Sequence, residues 1–235
     1  MLDRSAPAAS HQDACARVAA LFSSRWLRGY VASKLSSDPL FPLAYDLFSK
    51  SREPILDVGC GVGLLAFYLR DRGLQQPIVG IDIDERKIRQ AVASAECSRY
   101  DGLRFITQDV ARDLPAPRGN VAVFDLLHYL GPDEQQKLLR ELAARVVPGG
   151  LLLLRECPRD RSVRYRATYA AEVFAQMIAW NWTAPLHFPT AVSINAAFDE
   201  TEFEREVRPA WGGTPFNNHL FIFRRRRSPV VSAKE

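Results

Sequence analysis

The stretch ILDVGCGVGLLAFYLR, residues 55–70, constrains this chain more than any other. Four strand-forming residues run into three alternating glycines and then into an apolar helix. Glycine adopts backbone angles closed to other residues and lets a ligand approach the main chain closely. Joints of this kind open the nucleotide-binding unit of parallel α/β sheets, where ligands lie at the carboxyl ends of the strands. Asp82 stands about 20 residues further on, at the end of the next predicted strand. A carboxylate there can accept both hydroxyls of a ribose, so an adenosine-type ligand is expected.

The chain repeats that alternation. Strands are predicted over 55–58, 78–82, 103–107, 121–125 and 151–155, with helices near 63–73, 84–97 and 132–146. Pro132 in the first turn, Asp133 and Glu134 beside it, and a closing PGG punctuate the last of these helices. The pattern predicts a doubly wound, mostly parallel sheet with helices on both faces and right-handed crossovers. EFEREVRPAW and NHLFIFRR flank GGTPFN, which predicts a C-terminal antiparallel hairpin.

Ahead of the alternation, residues 13–48 read as helical, with Val18, Leu21, Phe22 and Trp26 at helical spacing. Residues 1–50 are expected to form a helical cap on a domain of residues 51–227. A lid-like insertion is expected near 157–198, and a flexible tail over 228–235. The insertion holds an aromatic helix over 163–182, with Tyr165, Tyr169, Phe174, Trp180 and Trp182. The aromatic run through residue 188 reads equally as core or as an acceptor platform. A short helical run, DETEFERE, is expected before the sixth strand.

A chain of 235 residues can bury one large core. No apolar run is long enough to span a membrane, and the N-terminus lacks the apolar centre of a secretion signal, so a cytoplasmic protein is expected. Cys15, Cys60, Cys97 and Cys157 lie far apart without metal-ligand spacing. Reduced thiols and no metal are expected. The net charge of +4 owes much to RRRR, Arg224 to Arg227. That run reads as a solvated strand end, against the alternative of a nucleic-acid or membrane patch.

Two ligands compete for the glycine turn. GVGLLA, Gly61 to Ala66, fits the G-x-G-x-x-A dinucleotide pattern. Asp57 opposes it, because a carboxylate before the glycines would repel a pyrophosphate. It suits a ligand with an ammonium and a sulfonium instead, namely S-adenosylmethionine.

LDVGCGVG resembles the first motif, D-x-G-x-G-x-G, of class I S-adenosylmethionine-dependent methyltransferases. VGIDID is similar to the segment supplying the ribose-binding acid, here Asp82. FITQDV, which brings Gln108, is similar to the motif whose acid bonds the adenine amino group, here Asp109. FDLLHYL and PGGLLLL are similar to the family's fourth- and fifth-strand segments. The resemblance implies a seven-stranded Rossmann-like sheet that ends in the antiparallel hairpin. It implies that Asp57, Gly59, Cys60, Gly61 and Gly63 lie under the methionine part, with Cys60 a small residue fitting a tight turn. Ile83 and Val110 would flank the adenine, and Asp125 and Leu126 would lie near the sulfonium. Arg28 and Tyr30 would reach the methionine carboxylate, with a surface ion pair as the alternative role for Arg28.

Methyl transfer needs a base only where the nucleophile is protonated. His128 lies beside the expected methyl donor and can take a phenolic proton, or it can be a hydrogen-bonded residue at a helix start. Tyr129 can shape the pocket. Glu156 ends the fifth strand, where catalysis competes with a salt bridge to a nearby arginine. His187 and His219 are weaker candidates. DLLH stands where amino-group DNA methyltransferases carry N/D-P-P-Y/F, and no basic groove is evident, so a small aromatic acceptor is expected rather than nucleic acid. LHYLGPDEQQKLL, LLLLREC and GTPFNNHLF resemble small bacterial methyltransferases found with aryl-polyene or related pigment enzymes. That resemblance implies a phenolic head group, carrier-tethered or free, methylated on oxygen or carbon. The rival readings are an NAD(P)-dependent oxidoreductase and a cofactor-binding protein without turnover.

Overall fold

A computed structural model describes residues 10–98, 100–112, 114, 118–178 and 185–227, with main chain alone at 175–178. Three helices lead, α1 (His11–Ala20), α2 (Arg25–Ser37) and α3 (Leu40–Phe48). Ser10 and Ser24 cap the first two by accepting from the amides of Asp13 and Leu27. The alternation follows as β1 (Ile55–Val58), α4 (Leu64–Asp71), β2 (Ile78–Asp82), α5 (Glu85–Ser98), β3 (Leu103–Thr107), β4 (Asn120–Phe124), α6 (Pro132–Arg145) and β5 (Leu151–Glu156). Then come α7 (Val163–Ile178), α8 (Ala191–Asn195), β6 (Phe203–Pro209) and β7 (His219–Arg225).

The seven strands form one sheet in the order β3-β2-β1-β4-β5-β7-β6. The first five are parallel, and β7 runs antiparallel to both β5 and β6. The chain leaves β1 toward one edge and returns at β4 on the other side. The switch point, where ligands bind, therefore lies between the carboxyl ends of β1 and β4.

Side chains alternate across the sheet. Leu151 and Leu153 of β5 join the cluster under α1, α3 and α4, while Leu152 and Leu154 join the opposite cluster with α6 and α8. By the same parity Arg155 belongs to the capped face and Glu156 to the other.

Three expectations change. The fourth strand ends one residue early, because Asp125 turns out of it at φ 54°. The helical run expected at DETEFERE is a turn followed by β6, and the short helix lies earlier, at α8. Charged helix formers fill that run because β6 is the edge strand and alternate side chains face water. The arginine run is more paired than a solvated end. Arg225 reaches Glu202 and the Val146 carbonyl, and Arg226 bonds Glu204. Trp180, Trp182 and the expected tail at 228–235 lie outside the described residues.

Candidate active site

The glycine turn closes tightly around its own backbone. Gly59, Gly61 and Gly63 all have positive φ. At Gly63 a Cβ would meet the Phe105 ring at 2.8 Å, so glycine is required there on two grounds. At Gly61 a Cβ would meet nothing within 4 Å, which leaves open space above the turn. Cys60 is buried and lies against Gly80, and burial pushes its thiol far above the ordinary range. It packs against the second strand beneath the turn.

Two carboxylates sit under this turn. Asp82 accepts from the Gly61 amide at 2.9 Å and, through its other oxygen, from the Asp84 amide at 2.8 Å. It holds the turn to the end of β2 and keeps lone pairs for a further donor. Asp57 is 2% exposed, and its Oδ2 has no hydrogen-bond partner. Burial, with the Asp82 charge behind it, pushes its pKa up to about 7. A buried, unpartnered carboxylate oxygen is costly and fits a ligand that brings a positive donor. Open space above Gly61, the orphaned Asp57 oxygen and the exposed Ile83 fit S-adenosylmethionine. They do not fit a pyrophosphate, which would add negative charge here.

The other residues expected at the adenine end follow along the chain. The Gln108 amide bonds the Asp82 carbonyl, Asp109 accepts from the Ala111 amide and pairs with Arg112, and Val110 is half-buried. Among the described residues Arg28 forms no ion pair, the surface role weighed for it. Its guanidinium caps the Phe22 carbonyl after α1, at 3.1 and 3.2 Å. Tyr30 is exposed and stacks on Trp26, with centroids 5.9 Å apart.

Across the switch point, the end of β5 grips the turn after β4. The Asp125 amide donates to the Arg155 carbonyl, and the Arg155 guanidinium binds the Asp125 carboxylate. Arg155 is 2% exposed and also pairs with Asp38 after α2, which Lys34 approaches at 3.0 Å. Leu126 lies against Gly59, so the two loops meet. Glu156 binds His128 on the opposite face. His128 Nδ1 lies 2.8 Å from one carboxylate oxygen, and its backbone amide bonds the other. Among the described residues no arginine forms the salt bridge expected for Glu156, because strand parity sends neighbouring Arg155 the other way.

His128 is 2% exposed, and its Nε2 is buried without a partner. With Nδ1–H directed at Glu156, the neutral ring presents a lone pair at Nε2. Burial works to lower the imidazole pKa, but Glu156, aided by Glu172 and Asp125, outweighs it and holds it above the ordinary value. The ring lies between Tyr129, at 4.2 Å, and Phe188, stacked at 5.1 Å. Tyr165 and Tyr169 of α7 pack on Phe188. His187 joins by its backbone amide, which bonds the His128 carbonyl. His219 bonds the Asn217 carbonyl and meets Trp211 edge-on, a structural role.

The sequence reading missed Asp38, Arg155 and Glu172. Arg155 carried a signal, since a charge inside a strand of leucines requires partners. Asp38 and Glu172 look like ordinary helix-surface acids.

Comparison with known proteins agrees with this geometry. Residues 55–150 match the family described as "Methyltransferase domain". The chain is 28% identical over 119 residues to a tRNA (guanine-N(7)-)-methyltransferase of Rubrobacter xylanophilus, covering 46% of this chain and 53% of that one. It is 27% identical over 143 residues to a ubiquinone biosynthesis O-methyltransferase of Chromobacterium violaceum, covering 58% and 60%. The chain thus spans between half and three-fifths of these relatives. Magnesium protoporphyrin IX methyltransferase from Synechocystis PCC 6803 superimposes with a TM-score of 0.62 at 18% identity, covering 91% of this chain and 93% of that one. It was solved with S-adenosylhomocysteine and with S-adenosylmethionine bound. The fold is the Rossmann-like methyltransferase fold, and the segment matched to the methyltransferase domain holds the glycine turn, Asp57 and Asp82.

Proposed function

We propose that this protein transfers a methyl group from S-adenosylmethionine to a small aromatic acceptor, with His128 as the general base. The bound cofactor supplies a methyl group on a sulfonium, open to in-line displacement. The observation that carries the reading is the His128–Glu156 pair, with its unpartnered, buried Nε2 beside an aromatic cluster.

The chain's own residues divide the remaining tasks. Asp57 receives the cofactor's ammonium and Asp82 its ribose hydroxyls, while Asp109, Ile83 and Val110 hold the adenine end. Arg28 and Tyr30 serve the methionine carboxylate, which requires Arg28 to swing from the Phe22 carbonyl. Glu156 fixes the tautomer of His128 and stabilises the imidazolium once Nε2 has taken the acceptor's proton. Tyr129, Tyr165 and Phe188 shape the acceptor space and exclude water, as part of the lid-like segment 157–198. A phenol, free or carrier-tethered, is the first acceptor to try, as the resemblance to pigment-cluster enzymes implies.

His128→Ala tests the assignment. Turnover, followed as S-adenosylhomocysteine formed, should fall about 10²–10⁴-fold with cofactor affinity unchanged. In the wild type it should rise with pH through a value above the ordinary imidazole pKa, because the base works when neutral. Unaltered turnover in the variant returns His128 to a structural role.

A further inference from the structure

The charge around His128 narrows the acceptor further. Tyr165, Tyr169 and Glu172 stand at i, i+4 and i+7 of α7 and share one face. That face lies across the turn after β4. Tyr165 meets Phe188 edge-on at 5.6 Å, Tyr169 meets it at 5.9 Å, and Glu172 accepts from the Tyr129 hydroxyl at 3.3 Å. Three carboxylates, Asp125, Glu156 and Glu172, act on both His128 and Tyr129. Asp125 is matched by Arg155, and Glu156 by His128. Glu172 meets a phenol, and among the described residues no lysine or arginine forms an ion pair with it. Arg159, which is exposed, acts on Tyr165 at the other end of the face.

We propose that the acceptor carries a protonated amine, received by Glu172 and by the ring faces of Tyr129, Tyr165 and Tyr169. This rests on the methyl-transfer reading above and names the substrate class of that same site. A carboxylate gives an ammonium a charge-assisted hydrogen bond. Aromatic faces within about 6 Å attract the same cation. A phenolate alone would meet the Glu172 carboxylate, which no described lysine or arginine pairs, and would be repelled by it. The ring cluster and the buried Nε2 call for an aromatic body near the base, and Glu172 calls for a cationic arm on it. Recognition leaves the amine protonated, so no bond forms or breaks in this step.

The test is calorimetric, on the full chain saturated with S-adenosylhomocysteine. The probes are tyramine and 4-ethylphenol, which share ring and hydroxyl and differ in the ammonium. Tyramine should bind at least tenfold tighter. Glu172→Gln should abolish that preference and leave 4-ethylphenol binding as it was. Equal affinities, a preference for the neutral probe, or binding of neither overturns the proposal. So does a Glu172→Gln variant that loses affinity for S-adenosylmethionine but not for S-adenosylhomocysteine, since Glu172 would then serve the sulfonium. Failure to bind either cofactor form is a separate result, and it removes the methyl-transfer reading itself.

Discussion

Two acids on the capped face of the sheet, Asp38 and the buried Asp57, show how differently the halves of this site are built. Asp38 sits at the end of β5 against Arg155 and Lys34. Burial works to raise its pKa, but those two cations outweigh it and hold the carboxyl below its usual value. Asp57 sits on the cofactor side with an orphaned oxygen and another acid behind it, and its pKa rises to about 7. The Arg155 network supplies its own counter-charges. The end of β1 leaves one out, at the unpartnered Asp57 oxygen proposed to receive the cofactor's ammonium.

The pH signatures are therefore opposite. Asp38 binds its proton less tightly folded than unfolded, so its contribution is present above the ordinary carboxylate pKa and lost as pH falls through its folded value. Asp57 binds its proton more tightly when folded, so the cofactor-free protein loses stability as pH rises from about 4 to about 7.

Arg155→Met strikes the comparison hardest. It strands Asp125 without a cation, leaves Asp38 with Lys34 alone, and should cost on the order of 3–5 kcal/mol in denaturant unfolding. A loss under about 1 kcal/mol would show the network to be as weak as a surface pair. Asp82→Ala comes next. Cofactor affinity should drop by about 2–4 kcal/mol as two charge-assisted bonds to the ribose go. Because Asp82 also holds the Gly61 amide, part of the loss should appear as a less stable turn. A folded variant with unchanged affinity would refute the ribose assignment. Asp57→Asn is the smallest and most telling. It should weaken S-adenosylmethionine binding while stabilising the cofactor-free protein by about 1–3 kcal/mol at pH 8. That gain should shrink toward pH 4, and melting curves across pH read both directions. A variant destabilised at every pH would mean that Asp57 is already satisfied without a ligand.

What the sequence disclosed follows the same division. The cofactor side is local. One strand, one turn and one helix lie within residues 55–70, and the glycine angles and Asp82 could be anticipated from spacing. The parallel sheet could be anticipated from the alternation of strands and helices, although among the described residues no helix separates β3 from β4. The acceptor side is assembled from distant parts. Glu156 finds His128 28 positions earlier in the chain, and Arg155 finds Asp38 117 positions earlier. Parity along β5 sends these neighbours to opposite faces, a fact readable only once the register of the sheet is known. DETEFERE misled because helix-forming charges on an edge strand carry no mark of the pairing partner that overrides them.

The most direct test is a calorimetric titration of the full chain with S-adenosylmethionine, S-adenosylhomocysteine and NADH. The two adenosyl ligands should bind and NADH should not, because the open space above Gly61 is backed by Asp57 rather than by groups that welcome a pyrophosphate. Binding of NADH without S-adenosylmethionine would contradict the account and leave the fold alone standing.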